Sequence, residues 1–389
     1  MPGAAVFVAL NTSVTYVCFA CLLVESPSGE RPAAWKRLLA LALALNPVFM
    51  FYAGILWKDV MLATMALVAS TGLLLASRRA GWARATLIAT AMLSISTLPL
   101  LRQQGFLLAV PLAFAAAKIA ASGNRGRRAV AIGLACLLVM VGASTTFDHV
   151  AKRTIEPLPS SPLSVGLVTI RAYDIAGMVA NAKSGDPSEW SGAGEDVKAQ
   201  LRRLYSAQRI DTFWHDPIVR SYVNELSNET SLALWWAGIR HDPWAYLSHR
   251  AAAFAYLLGF RDLSGCVPAY WGVAAPAEYL AWASLTEEMD PRDRLIGRWS
   301  QALHPTPVFR HWFYLALLSV AALRVARGYA GDTIVPLAMV AAAGLYFVSY
   351  APTTIACDFR YLYPTAVLAT ALLIWTLLGG SRRPSPSSG

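Results

Sequence analysis

Carboxylates, cations, amides and aromatic side chains occur together where apolar segments of this chain end. They lie in Trp57-Lys58-Asp59, in Arg102-Gln103-Gln104-Gly105 and in Asp358-Phe359-Arg360-Tyr361, and Tyr363 follows the last sequence. Arg binds phosphate through a planar fork and Lys binds it as a point charge. An Asp beside them can accept the proton of a hydroxyl group. These residue types predict a site that binds a phosphate and acts on a hydroxyl.

Each of these residues receives a predicted role from its chemical type. Asp59 and Asp358 are candidate catalytic carboxylates, which would orient a hydroxyl or hold a divalent cation through their oxygens. Lys58, Arg102 and Arg360 are candidate ligands of the phosphate. The predicted pocket-lining residues are Trp57, Gln103, Gln104, Tyr361 and Tyr363. A structural role is the alternative, because charged residues at the ends of membrane helices commonly reach the interface or cap a helix.

Composition places the chain among membrane proteins. Hydrophobic residues make up 56% of it, charged residues only 14%, and the mean hydropathy is +0.45. Soluble domains contain about one quarter charged residues. The net charge of +10 does not predict nucleic-acid binding, because the basic excess lies in short loops rather than in a solvated stripe or arm. Cys18 and Cys21 lie inside an apolar segment and are expected to be packing residues. No His-x-x-His pair predicts a metal site, so a bound cation stays an open question.

Apolar segments predict an all-α polytopic membrane protein with about nine transmembrane helices, since a span needs about 20 apolar residues. One mostly helical periplasmic domain is inserted before the last three. The predicted spans are Ala4–Val24, Leu38–Leu56, Val60–Ser77, Ala85–Leu101, Phe106–Ala121, Ala129–Thr145, Val308–Val325, Ile334–Tyr350 and Leu362–Leu378.

Loop charges predict the orientation. Loops rich in Arg and Lys alternate with short mixed loops, and the positive-inside rule makes the basic loops cytoplasmic. The N-terminus then lies outside and the C-terminus inside. The predicted domains are N-terminal membrane helices (1–145), a periplasmic or interfacial domain (146–305), C-terminal membrane helices (306–380) and a cytoplasmic tail (381–389). The abundance of Ala and Arg favours a bacterial inner membrane.

The predicted outer domain has three local features. Its aromatic stretch Ser231–Phe260 suits helices in the lipid headgroup layer, with an ordinary small domain as the alternative. Asp216-Pro217 and Asp242-Pro243 each fit a helix start, with Asp as the cap and Pro in the first turn. Cys266 and Cys357 fall on one face, where a disulfide is permitted but not required.

Taken together, these motifs resemble those of the bacterial C-type-fold membrane glycosyltransferases, which use sugars linked to polyprenyl phosphate. The resemblance covers most of the chain and implies transfer of a sugar to an envelope glycan, lipid or protein. It would make a lipid-linked sugar, a membrane lipid and the envelope acceptor the partners of this chain. It rests on Asn46-Pro47, Trp57-Lys58-Asp59, Arg102-Gln103-Gln104-Gly105, Tyr173-Asp174-Ile175-Ala176-Gly177, Asp242-Pro243-Trp244-Ala245-Tyr246 and Asp358-Phe359-Arg360-Tyr361-Leu362-Tyr363-Pro364.

One feature departs from that family. Its catalytic acid usually lies in the first outer loop, whereas the first loop here, residues 25–37, is predicted to be cytoplasmic. Three explanations stay open: a start site that lies upstream of Met1, a truncated gene, or a homologue that has lost catalysis. The enzymatic interpretation depends on an upstream helix followed by an acidic outer loop. The alternatives are a carrier or flippase for lipid-linked glycans and a non-catalytic homologue that binds or scaffolds. The predicted spans hold few ionisable residues at mid-depth, which disfavours an ion-coupled carrier.

Overall fold

The computed structural model describes residues 2–25, 32–121, 142, 146, 149–150, 162–183, 187–267, 269–273, 277, 280–281 and 286–379. Within these residues the regular elements are helices, and β structure is limited to one isolated bridge between Arg209 and Ala356. The predicted span Ala129–Thr145 lies almost entirely outside the described residues, as does the predicted cytoplasmic tail. The all-α class predicted from the sequence is confirmed.

The chain forms two compact units. Unit 1 comprises Met1–Ala151, Pro268–Val348 and Arg360–Gly389, and unit 2 comprises Lys152–Val267 and Ser349–Phe359. These units do not coincide with the predicted topological domains. Residues 268–305 were predicted to lie in the outer domain but belong to unit 1, and Ser349–Phe359 lies in the predicted C-terminal membrane part but belongs to unit 2. The topological domain boundaries therefore stay predictions.

Unit 1 contains ten described helices of more than one turn. Five helical segments are long and apolar enough to cross a membrane: Ala5–Val24, Ala34–Ala53, Lys58–Ala76, Gly81–Leu101 and Phe359–Leu378. This supports a membrane protein, and the predicted count of nine spans is not confirmed. The helices are α1 (Pro2–Val24), α2 (Ala34–Ala44), α3 (Pro47–Ala53), α4 (Lys58–Ala76), α5 (Gly81–Leu101), α6 (Gly105–Ala120), α13 (Pro291–Leu303), α14 (His311–Ala326), α15 (Ile334–Ser349) and α16 (Tyr363–Leu378).

The predicted span Leu38–Leu56 is broken into two helices. Pro47 is the first residue of α3, and the side chain of Asn46 accepts a hydrogen bond of 3.0 Å from the Val48 N–H. The Asn46 amide also donates to the Tyr314 hydroxyl at 2.8 Å. The Asn side chain thus satisfies polar groups that a break inside an apolar segment would otherwise expose.

Helices α4 and α16 form the centre of unit 1. Of their most apolar windows, 78% and 94% of residues are buried, against 28% for α1 and 22% for α5. Helix α16 packs on α1, α2, α4 and α14, and α4 packs on α1, α5 and α6. A helix that is apolar on all sides belongs either in a core or against lipid. The buried pair α4 and α16 forms the core of unit 1, whereas α1 and α5 expose more of their apolar residues and are suited to contact with lipid.

Unit 2 is built around α7. The longer helices α9, α11 and α12 pack against α7, and α8 packs on α11. Two helix starts predicted from the sequence are confirmed, because Asp216 and Asp242 cap α10 and α12 with Pro at the first turn. The helices are α7 (Pro162–Asn181), α8 (Ser188–Ser191), α9 (Glu195–Leu204), α10 (Pro217–Glu225), α11 (Asn228–His241) and α12 (Pro243–Leu258).

A disulfide fixes the separate segment Ser349–Phe359 within unit 2. Cys266 and Cys357 are bonded, with their Cα atoms 5.5 Å apart. The Cys357 N–H also donates to the Gln208 carbonyl at 2.8 Å, and the Ile210 N–H donates to the Ile355 carbonyl at 3.0 Å. The sequence left this pairing open, because cysteine spacing alone does not give the distance between two side chains.

Candidate functional site

The first part of the candidate site is an ion pair between Asp59 and Arg102. Asp59 lies in the first turn of α4, where a carboxylate complements the helix dipole. Arg102 directly follows α5, and its Nη1 contacts the Asp59 carboxylate. The Arg102 Nε also donates to the Gln104 side-chain oxygen at 2.8 Å. The Asp59 side chain is 5% exposed and that of Arg102 is 17% exposed, so Arg102 is the more accessible member of the pair.

The turn that presents Arg102 needs glycine at its end. The Arg102 N–H donates to the Leu98 carbonyl and the Gly105 N–H donates to the Arg102 carbonyl, which folds the chain back on α5. A Cβ at Gly105 would lie 2.0 Å from the Leu98 carbonyl oxygen. Because that neighbour is backbone, it cannot swing aside. The glycine therefore permits the close approach that holds Arg102 beside Asp59.

The second part of the site is an aromatic contact set around Arg360. The Arg360 guanidinium lies 4.8 Å from the centroid of the Trp57 ring and 5.3 Å from that of Tyr361. The Arg102 guanidinium also lies 5.3 Å from the Tyr361 ring. Cations at this distance from aromatic faces are attracted by the ring quadrupole. Tyr361 therefore links the two arginines, and Arg360-Tyr361 of the third predicted sequence meets the first two sequences within unit 1.

The remaining predicted residues of unit 1 occupy the edge and the base of this cluster. Lys58 and Gln103 are exposed at its edge, next in sequence to Trp57 and Arg102. Tyr363 is fully enclosed and stacks on Tyr52 with centroids 4.6 Å apart. It therefore supports the cluster from within and does not line an open surface.

Sequence reasoning missed two aromatic neighbours of the cluster. Tyr270 meets the Trp57 ring edge-on with centroids 4.5 Å apart, and Tyr52 lies 6.2 Å from Trp57. Tyr52 lies inside a predicted span and Tyr270 outside any recognised motif. No local pattern marked either residue, because their contacts depend on how separate segments pack.

Asp358, the second predicted carboxylate, belongs to unit 2. It is buried, and its Oδ1 lies 3.6 Å from the Arg209 Nη2. The Arg209 Nε also donates to Asp211 at 2.7 Å. The disulfide at Cys357 and the bridge from Ala356 to Arg209 fix the backbone on its N-terminal side. Asp358 is thus held by a cation that sequence analysis had not assigned to it.

Unit 2 also contains a buried polar cluster centred on Asp174 of α7. Its Oδ2 accepts a hydrogen bond of 2.7 Å from the Trp235 indole N–H. Its Oδ1 lies 2.5 Å from the Arg250 Nε and 3.1 Å from the His249 Nε2, although neither N–H points straight at it. The Arg250 Nη1 donates to the Thr354 carbonyl at 2.7 Å. The side chains of Asp174, His249 and Arg250 are at most 6% exposed, so this cluster holds the unit together from inside.

Burial in this cluster disfavours the charged form of His249. Burial is the largest influence and lowers the pKa of the imidazole, against the opposing effect of the Asp174 carboxylate. The Tyr205 hydroxyl lies 2.9 Å from the His249 Nδ1. A proton on Nε2, on the side of Asp174, would leave Nδ1 to accept from the Tyr205 hydroxyl. Burial also raises the pKa of Tyr205 to about 12, so its hydroxyl stays a donor near neutral pH.

A glycine on α7 makes room for the His249 ring. A Cβ at Gly177 would lie 2.2 Å from the Cγ and Nδ1 atoms of His249. Gly177 ends one of the sequences that carry the family resemblance, but nothing local indicated which side chain it would face. The residues of this cluster are separated widely in sequence, and this separation explains why sequence analysis missed it.

No group of three or more His, Cys, Asp or Glu side chains suited to a metal ion occurs among the residues that the structure describes. The two predicted carboxylates each face an arginine instead. Comparisons with known proteins returned no match: no family profile, no curated protein and no solved structure is significantly similar to this chain. The function of the chain is therefore inferred from the geometry of the site.

Proposed function

We propose that this chain is a membrane glycosyltransferase that takes a sugar from a polyprenyl-phosphate donor to an envelope glycan, lipid or protein. The convergence of Asp59, Arg102 and Arg360 around Tyr361 carries the proposal. Two guanidinium groups beside one membrane-helix end suit a lipid-linked phosphate, because Arg offers a fork of donors that matches phosphate oxygens. The resemblance described above adds the sugar and its polyprenyl carrier.

In the proposed reaction the acceptor hydroxyl oxygen attacks the anomeric carbon of the sugar. The bond from that carbon to the phosphate oxygen breaks, and polyprenyl phosphate leaves with the bonding electrons. Arg102, Arg360 and Lys58 would stabilise the negative charge on the leaving phosphate. Asp59 would take the hydroxyl proton. The aromatic rings of Trp57 and Tyr361 would hold Arg360 by its face, which orients its N–H edge for phosphate.

We also propose the orientation that this function needs, with the site on the outer face of a bacterial inner membrane. The test is labelling of single cysteines in intact cells by a membrane-impermeant maleimide, in a background without free cysteines. A cysteine at Asn228 should react, whereas a cysteine at Gly126 should not. Reaction at position 126 alone would reverse the orientation and place the site in the cytoplasm.

The proposed function is tested by binding and transfer measured separately on the purified full chain. Arg360→Lys and Arg102→Lys should weaken binding of a polyprenyl-phosphate sugar about tenfold or more, because Lys loses the forked contact. Arg327→Gln, an exposed cation just after α14, is the matched control and should bind normally. Unchanged binding in both Lys variants would refute the phosphate site.

A non-catalytic binding protein is the second candidate function. It is favoured by one observation: the Asp59 carboxylate already contacts Arg102, so one of its oxygens is engaged without any substrate. Asp59→Asn separates the two candidates. If Asp59 is the base, this variant binds the donor at least as well and loses transfer. If the wild-type chain binds the donor and shows no transfer in any condition, the binding protein is the better description.

A further inference from the structure

A groove of about 680 Å³ opens on unit 1 between α1 and α5. Helices α1 and α5 both pack on α4. Leu75 of α4 and Arg79, three residues after the end of α4, also line the groove. This volume lies within the range of about 300–1,000 Å³ usual for small-molecule sites. The apolar walls come from the end of α1 and the start of α5 and include Val17, Ala20, Val24, Ala83 and Leu87.

Small side chains create this groove. Ala20 and Cys21 on α1 and Ala83 on α5 leave space that larger residues would fill. Val17, Ala20 and Val24 follow helical spacing, so one face of α1 forms the wall. Val17 and Val24 are 60% and 81% exposed. The groove is therefore open sideways, in helices that are apolar enough to lie against lipid.

The mouth of the groove carries charge and an exposed indole. Arg79 forms an ion pair with Glu25, and their side chains are 49% and 26% exposed. Trp82, next to the groove residue Ala83, is 89% exposed. Arg and Trp at the end of a membrane helix match the headgroup layer of a bilayer. Apolar walls below a charged rim that includes Arg79 have the same order of polarity as a lipid molecule.

We propose that this groove binds one chain of an anionic glycerophospholipid, with its phosphate on Arg79. Arg has five N–H donors, so contact with Glu25 leaves donors for a phosphate. The site is independent of the proposed function. Arg79 follows the last turn of α4 and Asp59 lies in its first turn, and 19 residues of helix at about 1.5 Å each separate the two ends by nearly 30 Å.

A lipid fits this surface better than a second copy of the chain. A helix–helix seam within the membrane would place the exposed charges of Arg79 and Glu25 against apolar residues of the partner, which is costly. A lipid instead places its own phosphate beside Arg79 and its chain along the apolar wall. A zwitterionic lipid such as phosphatidylcholine fills the same walls, but the ammonium group of its headgroup offsets the negative charge of its phosphate and weakens the attraction to Arg79. We therefore expect the groove to bind an anionic lipid more tightly than a zwitterionic lipid that has the same acyl chains.

The test measures protection of Cys21, a free and partly buried cysteine in the groove wall. The full-length protein with Cys18→Ser and Cys136→Ser is delipidated in detergent and labelled with N-ethylmaleimide. Dioleoyl phosphatidylglycerol should slow labelling at a concentration about tenfold lower than dioleoyl phosphatidylcholine requires. Native mass spectrometry of the wild-type chain should show the same preference as one tightly bound lipid.

Three variants distinguish specific binding from general detergent or lipid contact. Arg79→Gln should abolish the preference for phosphatidylglycerol, and Glu25→Gln should keep or increase it because a repelling carboxylate is removed. Arg327→Gln, an exposed cation away from the groove wall, should leave it unchanged. Equal protection by the two lipids, or a preference that survives in Arg79→Gln, would overturn the proposal. Protection that rises with protein concentration without lipid would identify a second copy as the occupant and would also overturn it.

Discussion

Each unit of this protein contains an Asp–Arg contact, and the two contacts differ in what surrounds them. Asp174 in unit 2 is enclosed by Arg250, His249 and Trp235, whose contacting groups face inward. Asp59 in unit 1 faces Arg102, which is partly exposed and continues to Tyr361 and Arg360. The same pair of residue types thus completes a core in one unit and borders an accessible surface in the other.

This difference determines what each contact does. A buried carboxylate with every neighbour in place stabilises one conformation and gives a ligand no route to it. In the contact between Asp59 and Arg102, the partly exposed Arg102 keeps N–H donors near solvent. A phosphate could bind these donors in competition with Asp59. Identical chemistry therefore predicts stability in unit 2 and binding in unit 1. The following predictions, from the largest expected effect to the smallest, test that division.

The largest effect is expected from Arg250→Met. It leaves the Asp174 carboxylate buried beside one neutral His and one indole, and loss of one partner from a buried pair costs about 3–5 kcal/mol. Hydrogen exchange in peptides of α7 and α12 should increase strongly. Arg360→Gln is the counterpart in unit 1, and it should lower phosphate binding while exchange in α7 stays as in wild type. If Arg250→Met keeps full protection, the cluster is not the stabilising core that we describe.

The disulfide should rank second. Cys266 and Cys357 are 91 residues apart in sequence, and opening a loop of that size is expected to cost about 2–4 kcal/mol. Reduction should increase hydrogen exchange around Gln208 and Ile355, which hold the cross-linked segment. Cys266→Ser/Cys357→Ser should behave like the reduced protein and show no response to reductant. Loss of lipid-phosphate binding on reduction would show that the two regions are coupled.

A methyl group added at Gly177 should have an intermediate effect. The new Cβ would overlap the His249 ring, and overpacking of this kind costs about 1–3 kcal/mol. Gly166→Ala on the same helix is the matched control, because no atom lies within 4 Å of its added Cβ. That control should stabilise α7 by up to about 1 kcal/mol through helix propensity. Equal effects of the two substitutions on thermal unfolding would contradict the packing around His249.

The smallest effect is a dependence of stability on pH. The unfolded chain protonates His249 below about pH 6.5, whereas burial lowers the pKa of this imidazole in the folded protein. Unfolding therefore takes up a proton, and stability is lost as pH falls from about 6.5 towards the folded pKa, with a slope of at most about 1.4 kcal/mol per pH unit. His249 faces Asp174, Arg250 and Tyr205.

Thermal unfolding from pH 7.5 to 5 measures this slope. His249→Gln should flatten it, and His215→Gln, on the surface of the same unit, should not. A slope that persists in His249→Gln would assign the proton to another group and would weaken the interpretation of the cluster as a neutral-His core.

Local signals predicted much of the helical framework. The ends of α1, α4 and α5 lie close to those predicted from apolar length, and Asp-Pro pairs marked the starts of α10 and α12. Asn46-Pro47 carried the same kind of signal, an Asx cap followed by proline. The predicted span Leu38–Leu56 nevertheless ran through Asn46-Pro47, because hydropathy averaged over the length of a helix hides one polar residue. Helices α6, α14 and α15 have 16 residues each, fewer than the roughly 20 residues of a typical span, so their prediction as spans is not confirmed.

The candidate site also has a part that the sequence predicted and a part that it did not. Charges at helix ends identified Asp59, Arg102 and Arg360, since such charges are visible against apolar sequence. Their partners were not visible: Asp59 and Arg102 are 43 residues apart, and the second carboxylate, Asp358, faces Arg209 in unit 2. Contacts across such separations depend on packing, which sequence periodicity does not specify.

The amino-acid sequence by itself determined the membrane class, the helical class and the places where charges interrupt apolar helices. Each of these follows from local properties, namely hydropathy over the length of a helix and the bonding of side chains to nearby backbone. Tertiary structure decided which Asp–Arg contact is enclosed and which is accessible. Trp235 reaches Asp174 from 61 residues away, so only the packing of α11 and α12 on α7 could turn ordinary polar residues into a buried cluster.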